Sequence, residues 1–296
     1  MKPVIVIEKP SEFNELIERL LLEQHIALDT ESNSFYAYFE RVCLIQISTS
    51  EADFIVDPLA LDNISRLGEV LLNPNIEKIF HAASNDVLGM KRDFHFQVRN
   101  LFDTAIASKL LGYKQLGLAR IMEEHFGVIL NKKWQRYDWG KRPLKKEHLE
   151  YARFDTHFLI ELRHRLADNL QALELWENAI LAFAKACEQE FQERTFHPES
   201  FIQINGAQSL DPAGKRILKA LYLYREHEAR RRNRAPFRIL SNDTLLRLAH
   251  NPPKDMKEFY QVKGLPRPYH NSRAAHNLLK LIHNSEEFGD ERNAKS

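Results

Sequence analysis

Apolar runs at residues 4–8, 25–29, 42–48, 53–57 and 78–81, rich in Val, Ile, Leu and Phe and bounded by charged or turn residues, predict five short β-strands. Between and after them the period becomes helical, over 11–22 with Ser11 as N-cap, then 64–72, 85–94, 104–111 and 116–126. Strands giving way to mixed strand and helix predict an α/β layer, with helices packed on a central sheet. From residue 145 the pattern is almost wholly helical. Leu149, Ala152, Leu159, Leu162, Leu166 and Leu170 recur through 147–192, which predicts two helices broken near Asn169. Residues 194–208 hold His197-Pro198 and Asn205-Gly206, show little periodicity, and read as a linker. Beyond it, 212–232, 242–250, 255–262 and 272–283 predict a compact set of four or five helices. The expected organisation is a first domain over 1–193, a linker over 194–208, an all-α helical domain over 209–284, and a flexible tail over 285–296.

At 296 residues, with 44% hydrophobic and 28% charged positions, the chain has the make-up of a globular protein of two domains. No stretch approaches the ~20 consecutive apolar residues of a membrane span, and the amino-terminal residues hold no signal-peptide core. A cytoplasmic protein without a membrane partner is therefore expected. Cys43 and Cys187 have no metal-ligand spacing and read as buried thiols. The net charge of +1 conceals an asymmetry. Residues 1–205 carry 24 Lys and Arg against 31 Asp and Glu, residues 206–284 carry 16 against 6, and the last twelve carry 2 against 4. A mildly acidic front joined to a strongly basic back suggests a carboxylate-bearing domain tethered to a module that attracts a polyanion. A basic surface with no partner is the other reading.

Candidate chemistry lies in the front part. Asp29 and Glu31 stand at i and i+2 at the end of an apolar strand, so both project from one face. Like charges so close are destabilising unless a cation lies between them, and oxygen ligands suit a hard divalent metal. A solvated strand end would present the same dipeptide. Asp86 opens a predicted helix, where capping alone would account for it. Tyr151 and Asp155 stand at i and i+4, which puts a phenol and a carboxylate on one helix face.

Together these residues resemble the DEDD exonucleases, named for four acidic residues in three motifs, and within them the Tyr-containing, RNase D-type subgroup. Asp29-Thr30-Glu31, followed by the strand Val42-Cys43-Leu44-Ile45-Gln46-Ile47, is similar to the first motif. His81-Ala82-Ala83-Ser84-Asn85-Asp86 resembles the second, and Tyr151-Ala152-Arg153-Phe154-Asp155-Thr156-His157 the third, with Asp138-Trp139 and Arg142-Pro143-Leu144 upstream. The resemblance covers roughly residues 5 to 170. It implies a ribonuclease H-like α/β exonuclease domain with a central mixed sheet, and a 3′-to-5′ exoribonuclease activity that releases nucleoside 5′-monophosphates. It further implies two divalent cations, Mg²⁺ or Mn²⁺, with Asp29 serving both, Glu31 and Asp155 the ion that activates water, Asp86 the other, and Tyr151 orienting the water. The expected substrates are RNA 3′ ends, tRNA precursors or other small structured RNAs among them.

Residues 206–284 resemble the helicase and RNase D C-terminal (HRDC) domain through Leu210-Asp211, Leu221-Tyr222, Tyr224-Arg225, Arg234-Ala235-Pro236 and Leu245-Leu246-Arg247-Leu248-Ala249. Arg230, Arg231, Arg232 and Arg234, with Arg238 nearby, form the densest cationic cluster and are candidates for phosphate contact. In the front domain Lys132, Lys133, Trp134 and Arg136 interleave cations with an aromatic ring beside Gln135 and Tyr137. That composition suits gripping a backbone and stacking a base, although Trp134 and Tyr137 could equally pack beneath a loop. His81, His157 and His164 form no zinc pattern, His157 reading as a packing or surface residue. No nucleophile elbow and no nucleotide-binding P-loop is present, so no nucleotide cofactor is expected. A DNA 3′-to-5′ exonuclease and a nucleic-acid-binding scaffold with a vestigial site remain open alternatives.

Overall fold

A computed structural model of the chain describes residues 2–192, 195–270 and 273–287, with 286 and 287 described by backbone alone. It divides into two compact units, Met1–Asn33 with Arg41–Gln192, and Ser34–Glu40 with Glu193–Ser296. The expected boundary at 193/194 and residues 288–296 of the expected tail lie outside the described residues.

In the first unit, β1 (Val4–Ile7), β2 (His25–Ser32), β3 (Val42–Ser48), β4 (Asp53–Val56), β5 (Glu77–Phe80) and β6 (Leu101–Asp103) form one mixed sheet in the order β1-β4-β3-β2-β5-β6. The β4-β3-β2 centre is antiparallel and the outer pairings are parallel. Eight helices accompany it: α1 (Pro10–Leu20), α2 (Leu67–Leu72), α3 (Ser84–Phe94), α4 (Thr104–Leu110), α5 (Leu118–Phe126), α6 (Lys146–Arg153), α7 (Leu159–Ala172) and α8 (Trp176–Cys187). All seven residues of β3 are buried, as a central strand covered on both faces requires. The first half of β2 is anchored in the same core. Ile26 and Leu28 are fully buried, each contributing on the order of 1.5–3 kcal/mol, whereas Asp29 to Ser32 emerge half-buried at its end.

Several boundaries differ from expectation for identifiable reasons. Helix α1 begins at Pro10 rather than after a Ser11 cap, because proline's fixed φ suits the first helical position and Lys9 takes the N-cap place. The expected break near Asn169 falls instead at residues 173–175. The apolar stripe Leu159, Leu162, Leu166 continues to Leu170, and the chain then turns at Glu174 in the left-handed region (φ +54°). Strand β6 has three residues, too few to show a period. No helix among the described residues is long and apolar enough to cross a membrane.

The second unit is helical: α9 (Pro212–Arg231), α10 (Pro236–Ile239), α11 (Asn242–His250), α12 (Met256–Gln261) and α13 (Arg273–Glu287). Much of the expected linker belongs to its core. Pro198–Gln203 and Ala207–Ser209 are turns of 3-10 helix, and Phe201, Ile204, Ala207 and Leu210 are buried together with α9 and α11. Phe201 and Ala207 lie in the two turns and Ile204 and Leu210 just past their ends, so no continuous α period runs through the segment. Residues 34–40 also belong here. The Ala235 N–H donates to the Tyr36 carbonyl (3.0 Å), the Phe39 N–H to Asn233 Oδ1 (2.9 Å) and Arg238 Nε to the Phe35 carbonyl (2.5 Å), while the Arg238 guanidinium lies 3.7 Å from the Tyr36 ring centre.

Candidate active site

Strand register fixes the first pair of carboxylates. Asp29 lies opposite Gln46 and Glu31 opposite Leu44, so both project from the same face of β2, as their spacing predicts. Thr30, between them, engages the second motif: its N–H donates to Asp86 Oδ1 at 2.9 Å and its hydroxyl to the same oxygen at 2.6 Å. Asp86 sits in the first turn of α3 and is 7% exposed, so it reaches across to β2 besides standing at a helix start. Asp103, which sequence reasoning passed over, shapes the entry to α3. Its carboxylate accepts from the N–H groups of Ala82 (3.0 Å) and Ala83 (2.8 Å) and from Ala105 (2.8 Å) and Ile106 (3.1 Å) in α4. Those bonds offset the left-handed backbone of Ala82 (φ +60°), and the Asp-Thr pair at the start of α4 is the N-cap signal that marks the residue.

The third motif departs from a simple helix face. Helix α6 ends at Arg153, leaving Tyr151 in its last turn and Asp155 in the turn beyond, where the Asp155 N–H bonds back three residues to the Ala152 carbonyl (3.2 Å). The i, i+4 reasoning for Tyr151 and Asp155 is therefore corrected: a tightened turn, not a continuous helix, brings both to one cavity. A buried polar network holds that turn. Asp53 pairs with Arg153 (2.8 Å) and with Nδ1 of His157 (2.7 Å), and Ser48 Oγ donates to Asp53 (2.7 Å) and bonds to Thr156 Oγ1 (2.7 Å). His157, read as a packing or surface residue, is buried and paired with Asp53. Trp139 is 1% exposed and lies over Tyr151, ring centres 6.0 Å apart and planes at 29°.

Asp29, Glu31, Tyr151 and Asp155 line one cavity of about 220 Å³ with His81, Leu118 and Gln135. Burial raises the pKa of Asp29 well above the carboxylate range, and the charges of Asp86, Asp155 and Glu31 raise it further. Glu31 is raised by burial and then by Asp155 and Asp86; Asp155 by burial and then by Asp86. Burial also raises Asp86, against the two bonds from Thr30. Tyr151 is pushed far up by burial and by Asp155, Glu31 and Asp29, so its phenol stays protonated. Among the described residues no three His, Cys, Asp or Glu side chains converge closely enough to hold an ion as they stand. The donor set nonetheless fits hard divalent cations: all its ligands are carboxylate oxygens, and their mutual repulsion is what a cation relieves.

Raised carboxylates such as these would couple the binding of a cation to pH. Carboxylates whose folded pKa is raised favour the folded state fully below their unfolded pKa, about 4, and that contribution is lost as pH rises through the folded values. Bound Mn²⁺ should therefore raise the melting temperature more at pH 8 than at pH 5. Thermal unfolding with Mn²⁺ or EDTA at both pH values measures this, and equal gains at the two pH values contradict it.

A larger cavity, about 990 Å³, shares Leu118, Gln135, Tyr151 and Asp155 with the first and extends past Lys132, Lys133 and Trp134 to Lys145 and Lys146. Of the expected front-domain contacts, Lys132, Lys133 and Trp134 line it and Arg136 does not. Trp134 packs edge-on against Tyr137 and His148 (ring centres 5.5 and 4.5 Å), with Lys133 Nζ 4.5 Å from its ring centre, so it is both packed and cavity-lining. In the helical unit the arginine cluster divides. Arg231 donates twice to Glu228 (2.9 Å each) and Arg232 pairs with the same carboxylate; Arg230, Arg231 and Arg234 are exposed. Sequence reasoning missed Glu228, 7% exposed, as the counter-charge within the cluster.

Comparisons with known proteins agree with this architecture. A family described as 3′-5′ exonuclease matches residues 4–171, and the HRDC domain family matches residues 214–282. The Exosome complex component 10 homolog of Caenorhabditis elegans is 32% identical over 284 residues, 95% of this chain and 32% of that protein. The chain spans about a third of that relative's length. The catalytic core of RRP6 from Trypanosoma brucei superposes with a TM-score of 0.87 at 29% identity, covering 96% of this chain and 80% of that one. RNase D of Escherichia coli superposes with a TM-score of 0.67 at 26% identity, covering 95% and 74%. The chain therefore belongs to the DEDD-type 3′-5′ exonuclease family, its exonuclease domain followed by an HRDC domain.

Proposed function

We propose that this chain is a divalent-metal-dependent 3′-to-5′ exoribonuclease that removes nucleoside 5′-monophosphates from RNA. The observation that carries the reading is that Asp29, Glu31 and Asp155 line one cavity with Tyr151, while Asp86 is bonded to Thr30, which stands between Asp29 and Glu31. The residues assigned to the ions are these four carboxylates. Two divalent ions held by these four carboxylates would supply Lewis acidity to an attacking water and positive charge to the departing 3′-oxygen. Tyr151 orients the water through its hydroxyl; its raised pKa makes it a poor general base. Trp139 and the Asp53 network keep Tyr151 and Asp155 in place. The apolar wall of the larger cavity, Leu118, Val128, Leu130, Trp134 and Phe154, suits a base, and Lys132, Lys133, Lys145 and Lys146 suit phosphates.

The substrates we assign are tRNA precursors or other small structured RNAs. The E. coli RNase D to which the chain is similar is described as an exoribonuclease involved in structured RNA processing, which supports this choice. Incubation with matched RNA and DNA oligonucleotides, in Mn²⁺ or EDTA, tests the substrate class. Degradation of RNA in preference to DNA, stopped by EDTA, is expected; preferential loss of DNA would make the chain a DNA exonuclease.

A further inference from the structure

Leu44, Gln46 and Ser48 alternate onto the face of β3 that carries the third motif: Leu44 clusters with Trp139 and Ala152, and Ser48 bonds to Thr156. Gln46 lies between them, with Asp29 directly opposite on β2 and Ile55 opposite on β4. Directly opposed residues of an antiparallel pair have Cβ atoms about 4.5–5.5 Å apart, within reach of a glutamine carboxamide. Gln46 is fully buried, and neither its Nε2 nor its Oε1 has a hydrogen-bond partner. Ser48, Asp53, Arg153 and His157 on this face bond to one another, whereas Trp139 Nε1, buried on the same face, has no partner either. An orphaned buried amide is costly and rare, and it calls for a partner that this state of the site does not supply.

We propose that Gln46 is a positioning residue of the ion site: once the carboxylates are drawn onto divalent ions, its Nε2–H donates to the Asp29 carboxylate and fixes which oxygen Asp29 turns to the ions. The inference rests on the metal-dependent reading above. It accounts for a buried carboxamide that takes no part in the neighbouring polar network, because metal-ligating carboxylates are themselves held by hydrogen bonds from behind. It also implies that Gln46 weakens the ion-free fold while serving the ion-bound one.

The test uses the full chain with Gln46→Met, which keeps the length of the side chain and removes the amide, and Gln46→Leu as a second apolar replacement. Mn²⁺ affinity is measured by titration calorimetry and the melting temperature in EDTA. In both variants Mn²⁺ affinity should fall about 10–100-fold, while the EDTA melting temperature stays level or rises because an unsatisfied group has been removed. A purely structural amide, for example one bridged to Trp139 by a buried water, gives the reverse pattern. Unchanged Mn²⁺ affinity in either variant, a lowered EDTA melting temperature, or failure to fold overturns the proposal while leaving the metal-dependent reading intact. Absence of Mn²⁺ uptake by the parent protein overturns both.

Discussion

Asp29→Asn or Asp155→Asn should abolish hydrolysis while the folded protein becomes more stable in EDTA. Each substitution removes a ligand charge and almost no volume. The stabilisation of transition-state charge that depends on a bound ion is worth several kcal/mol, and at about 1.4 kcal/mol per tenfold this is a loss on the order of 10³-fold or more in turnover. The stability gain has the opposite origin. Both carboxyls have raised pKa values from burial and from neighbouring negative charge, so a neutral amide relieves a cost that the ion-free protein bears at neutral pH. Turnover assays at saturating Mn²⁺, paired with melting curves in EDTA at pH 8, read both effects. Turnover within about tenfold of the parent would contradict the ligand assignment. Tyr151→Phe should cost less than either carboxylate, because the ions stay bound and only the orientation of water suffers. Equal losses would contradict the role given to Tyr151.

RNA affinity should depend on Arg230 and Arg234 far more than on Arg231 and Arg232. Arg230, Arg231 and Arg234 are all exposed, but Arg231 and Arg232 neutralise Glu228, whose carboxyl is held down at about 2, chiefly by its hydrogen bond from Arg231. Replacing Arg230 and Arg234 by Gln, in the inactive Asp29→Asn background, should flatten the slope of log K against log salt by about 0.7 to 0.9 for each phosphate the variant no longer neutralises. Replacing Arg231 or Arg232 should mainly lower the stability of the helical unit, because it deprives a buried carboxylate of a partner. Binding to a structured RNA at several salt concentrations measures the slope. Coincident slopes for the parent and the Arg230/Arg234 variant would mean that this cluster does not engage phosphate. Charge substitution is a cleaner test here than removing residues from 206 onward. That truncation would also strip Asn233, Ala235 and Arg238 from the 34–40 segment that continues from the strand bearing Asp29 and Glu31.

The carboxylate site was legible because its elements have strong local signals. Asp29 and Glu31 follow an apolar run whose alternation sets their common face, and Asp86 opens a helix of clear period. What stayed hidden depends on long-range pairing. Asp53 meets Arg153 and His157 across roughly a hundred residues, and nothing local to any of them announces the network. Gln46 looks like any polar residue in a strand until the register places it opposite Asp29. The assignment of Asp155 to a helix face failed by one turn, because a tightened helix end keeps the sequence spacing while changing the geometry. In the back half, Phe201, Ile204, Ala207 and Leu210 lie in and just past two short 3-10 turns, so no α period links them and the segment reads as irregular chain. The 34–40 segment joins the helical unit through backbone bonds that leave no mark on the composition.

Ion-dependent removal of nucleotides from a 3′ end can be read by digesting one oligoribonucleotide in two forms, with a free 3′-hydroxyl and with a blocked 3′ end, in Mn²⁺ and in EDTA. With a 5′ label, the free form should shorten one nucleotide at a time in Mn²⁺ and release nucleoside 5′-monophosphates. The blocked form should persist, and neither should change in EDTA. Internal fragments from the blocked RNA, release of 3′-monophosphates, or undiminished degradation in EDTA would contradict the account.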